Sequence, residues 1–288
     1  TLGSVVIFPG VARADILINK EFNPITVTEY EKSTLTIKFL NNNNAAATDV
    51  SVTDNLPDNV FVANPPNIAN NCGGTVTANA GDNKVTITGG TIPAPSGAAG
   101  KCEFSIDVIA TQPGTFVNQI PKGSATSSQD SNADKAEATL TVNPAAPLTG
   151  SKSFSPGVLH GNGSATTMTI TINNPNAFAV NNLGFTDNLP SGLKVASPPN
   201  TSTTCNGTVT AVADATSVAL SGGTIGIDPD DSCSVTVDLV ASDPNNYLDD
   251  DVTNTIPSNG VTTDEEVTNS QPIEGTLKVQ TGAFVSKA

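Results

Sequence analysis

The sequence predicts an all-β chain of two tandem antiparallel β-sandwiches of immunoglobulin-like type. Three observations predict it. Threonine and valine dominate the regular segments, and β-branched residues favour strands, while aromatics are only 4 % of the 288 residues. Roughly seven to nine short segments in each half alternate apolar and polar side chains between Gly, Pro and Asn turns, the spacing of such a sandwich. Finally, the two halves repeat each other. "STLTIKFLNNN" matches "TTMTITINNPN", "VSVTDNLPDNVFVANPPN" matches "LGFTDNLPSGLKVASPPN", and "KCEFSIDV" matches "SCSVTVDL". Lys20 and Lys152 occupy the same slot, 152 − 20 = 132 positions apart.

Taken along the chain, residues 1–14 ("TLGSVVIFPGVARA") admit three readings. They fit the tail of a signal peptide, with Ala12 and Ala14 forming an A-x-A site before Asp15. They also fit the last strand of a preceding unit, since Thr1-Leu2 matches Thr139-Leu140 and Thr276-Leu277. The third reading is a free strand that completes a neighbouring molecule by strand addition. Residues 15–143 form the first repeat, 144–150 a short Pro-rich linker expected to be stiff, and 151–280 the second repeat. Residues 281–288 put Lys287 where Lys20 and Lys152 stand, as if a third repeat or a linking strand began there.

The formal net charge is −15. Phosphate backbones and anionic membrane surfaces need clustered Lys and Arg, so neither is an expected partner. No apolar stretch is long enough to span a bilayer. The expected partners are neighbouring repeats or identical subunits.

The motifs Lys-x-Phe-x-Pro, "TDNLP", "NPPN", Cys-x-Gly-Thr-Val, "SGGTI", "SCSVTV" and "TNTIP" resemble the tandem repeats of large bacterial surface proteins related to the DUF11 family. The resemblance covers nearly all of 15–288 and is most specific in the second repeat. The first repeat departs from it at "NKEFNP", "LNNNN" and "VNQIP". It implies an Ig-like fold in a secreted, cell-wall or filament protein, without catalytic activity.

Four cysteines lie two per repeat, Cys72 and Cys102, Cys205 and Cys233. Of the three possible connectivities only one keeps each bond within its repeat. Such bonds imply an oxidising compartment, extracellular or at the cell surface; free buried thiols are the alternative. Zinc is disfavoured, because there is no CxxC and one His.

The least ordinary feature is a set of polar residues on apolar faces. Lys20 shares the parity of Ile16, Ile18 and Phe22; Asp54 that of Val50, Val52 and Leu56; Asn118 that of Phe116 and Ile120. The second repeat repeats the placement with Lys152 beside Phe154, Asp187 among Leu183, Phe185 and Leu189, and Asn254 between Val252 and Ile256. A charge buried alone is costly, so these groups must pair or react. Lys, Asp and Asn together can form an intramolecular isopeptide bond. Ig-like domains of Gram-positive pilins and adhesins are similar in residue types and order. That resemblance implies Lys20 and Lys152 as nucleophiles, Asp54 and Asp187 as proton shuttles, and Asn118 and Asn254 as acceptors. Two other readings stand beside it. One is a non-covalent buried Lys–Asp pair. The other is unrelated duties: a turn-capping Asp, an edge Lys reaching water, an Asn serving backbone groups.

Acidic loops in the second repeat offer oxygen ligands for Ca²⁺: Asp228, Asp230 and Asp231, then Asp249, Asp250 and Asp251. A solvated acidic face explains them equally, and no EF-hand spacing is present. No other cofactor is expected. Asn162, Asn200 and Asn206 head N-x-[ST] triplets, and the lone His160 sits in a polar turn. With no nucleophile elbow and no His cluster, an enzyme is not expected. The expectation is a structural stalk or fibre module. The alternative is an adhesin domain for glycan or cell surfaces.

Overall fold

The computed structural model describes residues 16–160, 164–227, 231–242 and 250–280. The readings made on residues 1–14, Asn162, Asp228, Asp230, Asp249 and Lys287 lie outside them. The chain divides into two compact units, Thr1–Pro144 and Ala145–Ala288.

The first unit contains β1 (Leu17–Asn23), β2 (Thr26–Thr28), β3 (Ser33–Asn41), β4 (Ala47–Asn55), β5 (Val60–Val62), β6 (Ala69–Asn70), β7 (Thr75–Thr77), β8 (Lys84–Ile92), β9 (Gly100–Ala110), β10 (Gly114–Ile120) and β11 (Ala136–Asn143). The second contains β12 (Thr149–Ser155), β13 (Val158–His160), β14 (Thr166–Asn174), β15 (Val180–Asn188), β16 (Leu193–Val195), β17 (Ser202–Thr203), β18 (Thr208–Thr210), β19 (Ser217–Ile225), β20 (Asp231–Ala241), β21 (Asp250–Ile256), β22 (Val261–Thr262) and β23 (Ile273–Gln280). Among the described residues no helix forms.

Each unit is an Ig-like β-sandwich, and the two share one plan. In the first, one sheet runs β1-β3-β9-β5, with β6 also on β9; the opposing strands run β10-β11-β2 and β4-β8-β7. In the second the corresponding orders are β12-β14-β20-β16 with β17 on β20, β13-β23-β21, and β18-β19-β15-β22. The strand pairs are antiparallel except β2 with β11 and β13 with β23. These two short strands follow a chain that leaves one sheet at Pro24 or Pro156 and joins the other, so both sheets share the opening strand segment.

Alternation explains the core. Along β3 buried side chains alternate with half-buried ones, and Leu35, Ile37 and Phe39 are fully enclosed. Phe39 stacks on Phe104 of β9, ring centres 6.2 Å apart. β4 and β15 break the alternation by bulges, where Asp49 and Asn182 take φ values of 55° and 51°. There are more strands than the seven to nine expected, because β2, β5, β6 and β7 are two or three residues long. Segments that short show no period.

Several buried polar residues explain themselves as backbone clamps. Asn132 accepts a bond from the Ala125 amide (2.9 Å) and donates to the Pro121 and Asp134 carbonyls (2.9 and 2.7 Å). Asn269 does the same with Val261, Pro257 and Gln271. Asn41 and Asn174 clamp the turns that follow β3 and β14. Each satisfies loop groups that strand pairing leaves over.

Candidate functional site

The inward faces of β1, β4 and β10 bring three polar side chains together. Lys20 sits between Ile18 and Phe22 on β1, in register with the buried Ile37 of β3. Asp54 follows Val52 on the buried face of β4, opposite Val85. Asn118 stands on β10 two residues before Ile120, opposite Ala138 of β11. Lys20 therefore belongs to one sheet and Asn118 to the other, and the carboxylate lies where both reach it.

The Lys20 ammonium donates to both Asp54 oxygens, at 2.7 Å each, and both side chains are 0 % exposed. Asn118 Nδ2 donates to Asp54 Oδ2 at 3.0 Å, while Asn118 Oδ1 is buried without a hydrogen-bond partner. Burial pushes the Lys20 amine below its ordinary value of 10.5, against the opposing pull of Asp54. It also raises the Asp54 carboxyl above 3.8, against the pull of Lys20 and Asn118. Both shifts run the same way: water exclusion favours a neutral amine beside a protonated acid.

The second repeat assembles the same set. Lys152 of β12 is in register with Ile170, Asp187 of β15 with Val218, and Asn254 of β21 with Gly275. The Lys152 ammonium donates to Asp187 Oδ1 at 2.9 Å and to Asn254 Oδ1. Asn254 Nδ2 donates to the Asn188 carbonyl at 3.2 Å, and Asp187 Oδ2 is buried without a partner. Burial lowers the Lys152 amine as well.

These groups differ from the clamping asparagines. Asn132 and Asn269 bond only to backbone groups, whereas Asn118 donates to Asp54 and Asn254 accepts from Lys152. Nor is the pair an efficient stabiliser: replacing a buried ion pair by apolar side chains is often neutral or stabilising by about 1–4 kcal/mol. The pair stands at matching positions of both repeats. The turn-capping and edge-lysine readings do not fit side chains enclosed within the sandwich.

Sequence reasoning missed the small residues that face the two asparagines. Ala138 and Gly275 lie opposite the two asparagines. The aligned "EATLTV" and "EGTLKV" contain that signal, but a small residue in a strand has no distinctive pattern.

The structure pairs Cys72 with Cys102 and Cys205 with Cys233, and no cysteine is free. Cys72 lies between β6 and β7; its carbonyl accepts from Thr91 of β8 at 2.7 Å while its sulfur bonds to β9 of the other sheet. Cys205 makes the same connection through Thr224 and Cys233. Each disulfide thus ties one sheet to the other.

Of the acidic residues considered for Ca²⁺, Asp231 opens β20, while Asp250 and Asp251 open β21. Asp251 is exposed, in register with Lys278. Among the described residues no three His, Cys, Asp or Glu side chains group as metal ligands. Asn200 and Asn206 are exposed turn residues with φ of 45° and 57°; the Asn200 amide donates to Asp238 at 2.8 Å. His160 is exposed at the end of β13. Among the described residues no helix is long and apolar enough to cross a membrane.

No curated protein sequence matches the chain. Solved structures that it is similar to include BslA, a bacterial hydrophobin, at 19 % identity over 46 % of this chain and 96 % of that one, TM-score 0.30. Another is the Enterococcus faecalis MSCRAMM ACE, which binds its ligands by the collagen Hug model, at 14 % identity over 94 % and 95 %, TM-score 0.28. A third is a non-cellulosomal cohesin of the archaeon Archaeoglobus fulgidus, at 9 % identity over 46 % and 92 %, TM-score 0.29. Likenesses of this strength carry no weight for function. The family comparison is of another kind, since one model matches twice, over residues 17–142 and 149–279. The chain therefore belongs, as two adjacent repeats, to the family described as Domain of unknown function (DUF7933).

Proposed function

We propose that this chain is a structural segment of a secreted bacterial cell-surface or filament protein, and that each sandwich hardens itself by a Lys–Asn isopeptide bond. The observation that carries the reading is the enclosure of Lys, Asp and Asn in one water-excluded cluster, twice, each spanning the first strand of a repeat and a late one. Disulfides in both repeats support an oxidising, extracellular setting. The family adds no activity, and a tensile role needs no external substrate.

The chemistry balances without a co-reactant. A proton passes from the Lys20 ammonium to Asp54, leaving a neutral amine. The amine nitrogen attacks the Asn118 side-chain carbon, and the protonated Asp54 hydrogen-bonds to the developing oxyanion. The C–N bond to the amide nitrogen then breaks. That nitrogen leaves as ammonia, carrying the hydrogen lost by the amine; the departing ammonia then takes up the proton held by Asp54, leaving as ammonium and restoring the carboxylate. Lys152, Asp187 and Asn254 take the same roles in the second repeat. A buried site helps twice, by lowering the amine pKa and by excluding competing water.

A bond between a first strand and a late strand diverts load around everything between them. Single-molecule pulling tests this. The 102 positions from Lys152 to Asn254 stay out of the extension, about 340–370 Å of contour at roughly 3.3–3.6 Å per residue. Asn254→Ala restores that length if the disulfide is also reduced. Equal extension of the reduced wild type and the reduced variant contradicts the tensile reading. Binding of an isolated repeat to a glycan array, with no locked length, would favour an adhesin domain instead.

A further inference from the structure

We propose that the residue opposite the acceptor asparagine, Gly275 in the second repeat and Ala138 in the first, is a positioning residue that sets how fast the lysine reaches its acceptor. This deepens the cross-link reading and rests on it.

The geometry comes from the closeness of the first and last strands. Gly275 of β23 is in register with Asn254 and lies directly beneath β12. A Cβ added there would stand 2.8 Å from the Lys152 carbonyl oxygen, 3.0 Å from its carbonyl carbon and 3.0 Å from its Cγ. Two of these three atoms are backbone, so rotation of the lysine side chain cannot relieve the contact. The absence of a side chain at Gly275 lets β12 lie against β23 and carries the lysine stem across to β21. Gly275 is not needed for backbone conformation, because its φ is not in the left-handed region. Its service is the close approach.

In the first repeat the same slot holds Ala138, a partly buried residue packed against the core. Its methyl group occupies the space that Gly275 leaves open. The two lysines differ accordingly. Lys152 donates to the acceptor oxygen, Asn254 Oδ1, as well as to Asp187. Lys20 gives bonds to both oxygens of Asp54, and Asn118 Oδ1 is left without a partner. With Gly the amine touches both acceptor and carboxylate; with Ala it touches the carboxylate alone. Attack needs the amine at the acceptor carbon, and a misplacement of roughly 1 Å can cost up to about a hundredfold in rate.

The test exchanges the two residues. The full chain is made by cell-free synthesis under oxidising conditions and sampled over time. Proteolytic peptides then report, for each repeat, the fraction that has joined and lost ammonia. The expected order in the wild type is second repeat before first. Gly275→Ala slows the second-repeat bond roughly ten- to hundredfold, and Ala138→Gly speeds the first-repeat bond. The second variant separates positioning from stability. Glycine weakens a strand, so a merely structural role makes Ala138→Gly slower, whereas a positioning role makes it faster. It also keeps the test decisive if Gly275→Ala does not fold. Loss of ammonia at unchanged rates in Ala138→Gly overturns the positioning role and leaves the cross-link standing. No loss of ammonia from either repeat of the wild type overturns the cross-link, and this inference with it.

Discussion

Asp54→Ala leaves the first repeat without its cross-link and destabilises it by about 3–5 kcal/mol relative to Asn118→Ala, the cost of removing one member of a buried ion pair. The comparison is chosen so that neither chain can form the bond. Asn118→Ala retains the Lys20–Asp54 pair, two bonds of 2.7 Å between side chains that are 0 % exposed. Asp54→Ala strips the ammonium of both acceptors inside the core. The double replacement Lys20→Met with Asp54→Leu recovers most of the loss, because the penalty lies in the orphaned charge and not in a missing attraction. Denaturant unfolding followed in the first repeat measures all three. Equal midpoints for Asp54→Ala and Asn118→Ala would mean that the lysine finds water, and the enclosed cluster would be wrong.

Replacing Cys72 and Cys102 together by alanine lowers the stability of the first repeat by about 3–4 kcal/mol, the loop-closure value for a separation of this size. The separation is 30 residues, and 28 for Cys205 and Cys233, so the second repeat responds almost equally. The effect is large because each bond closes a long loop and ties one sheet to the other. The proposed isopeptide bond would close a different and much longer loop, so its contribution would survive reduction. Reductant alone should therefore shift the unfolding midpoint without abolishing cooperative folding. A midpoint insensitive to reductant would show that the pairing does not form in the folded chain.

Much of this was legible before any coordinates. Lys20, Asp54 and Asn118 were visible because a strand has a period of two, and a polar residue on the apolar parity is a local contradiction. Their meeting was implied only by the resemblance to pilin and adhesin domains, since parity tells which face a side chain takes and not which strands face each other. The cysteines were legible through the repeat, which left one pairing per unit. The short strands β5, β6 and β7 could not be read, because three residues carry no period. The role of Gly275 stayed hidden for another reason. A close approach between first and last strands is a property of the packed sandwich, and no local pattern encodes it. Buried Asn132 and Asn269 were missed because they lie in turns where asparagine is ordinary.

The central claim is covalent, so mass tests it most directly. The folded chain, freshly purified and then fully reduced, is weighed intact and mapped by peptides. The account predicts a mass below that of the sequence by two molecules of ammonia. It further predicts branched peptides joining the Lys20 segment to the Asn118 segment and the Lys152 segment to the Asn254 segment. A chain at its full sequence mass, with the four peptides separate, contradicts it.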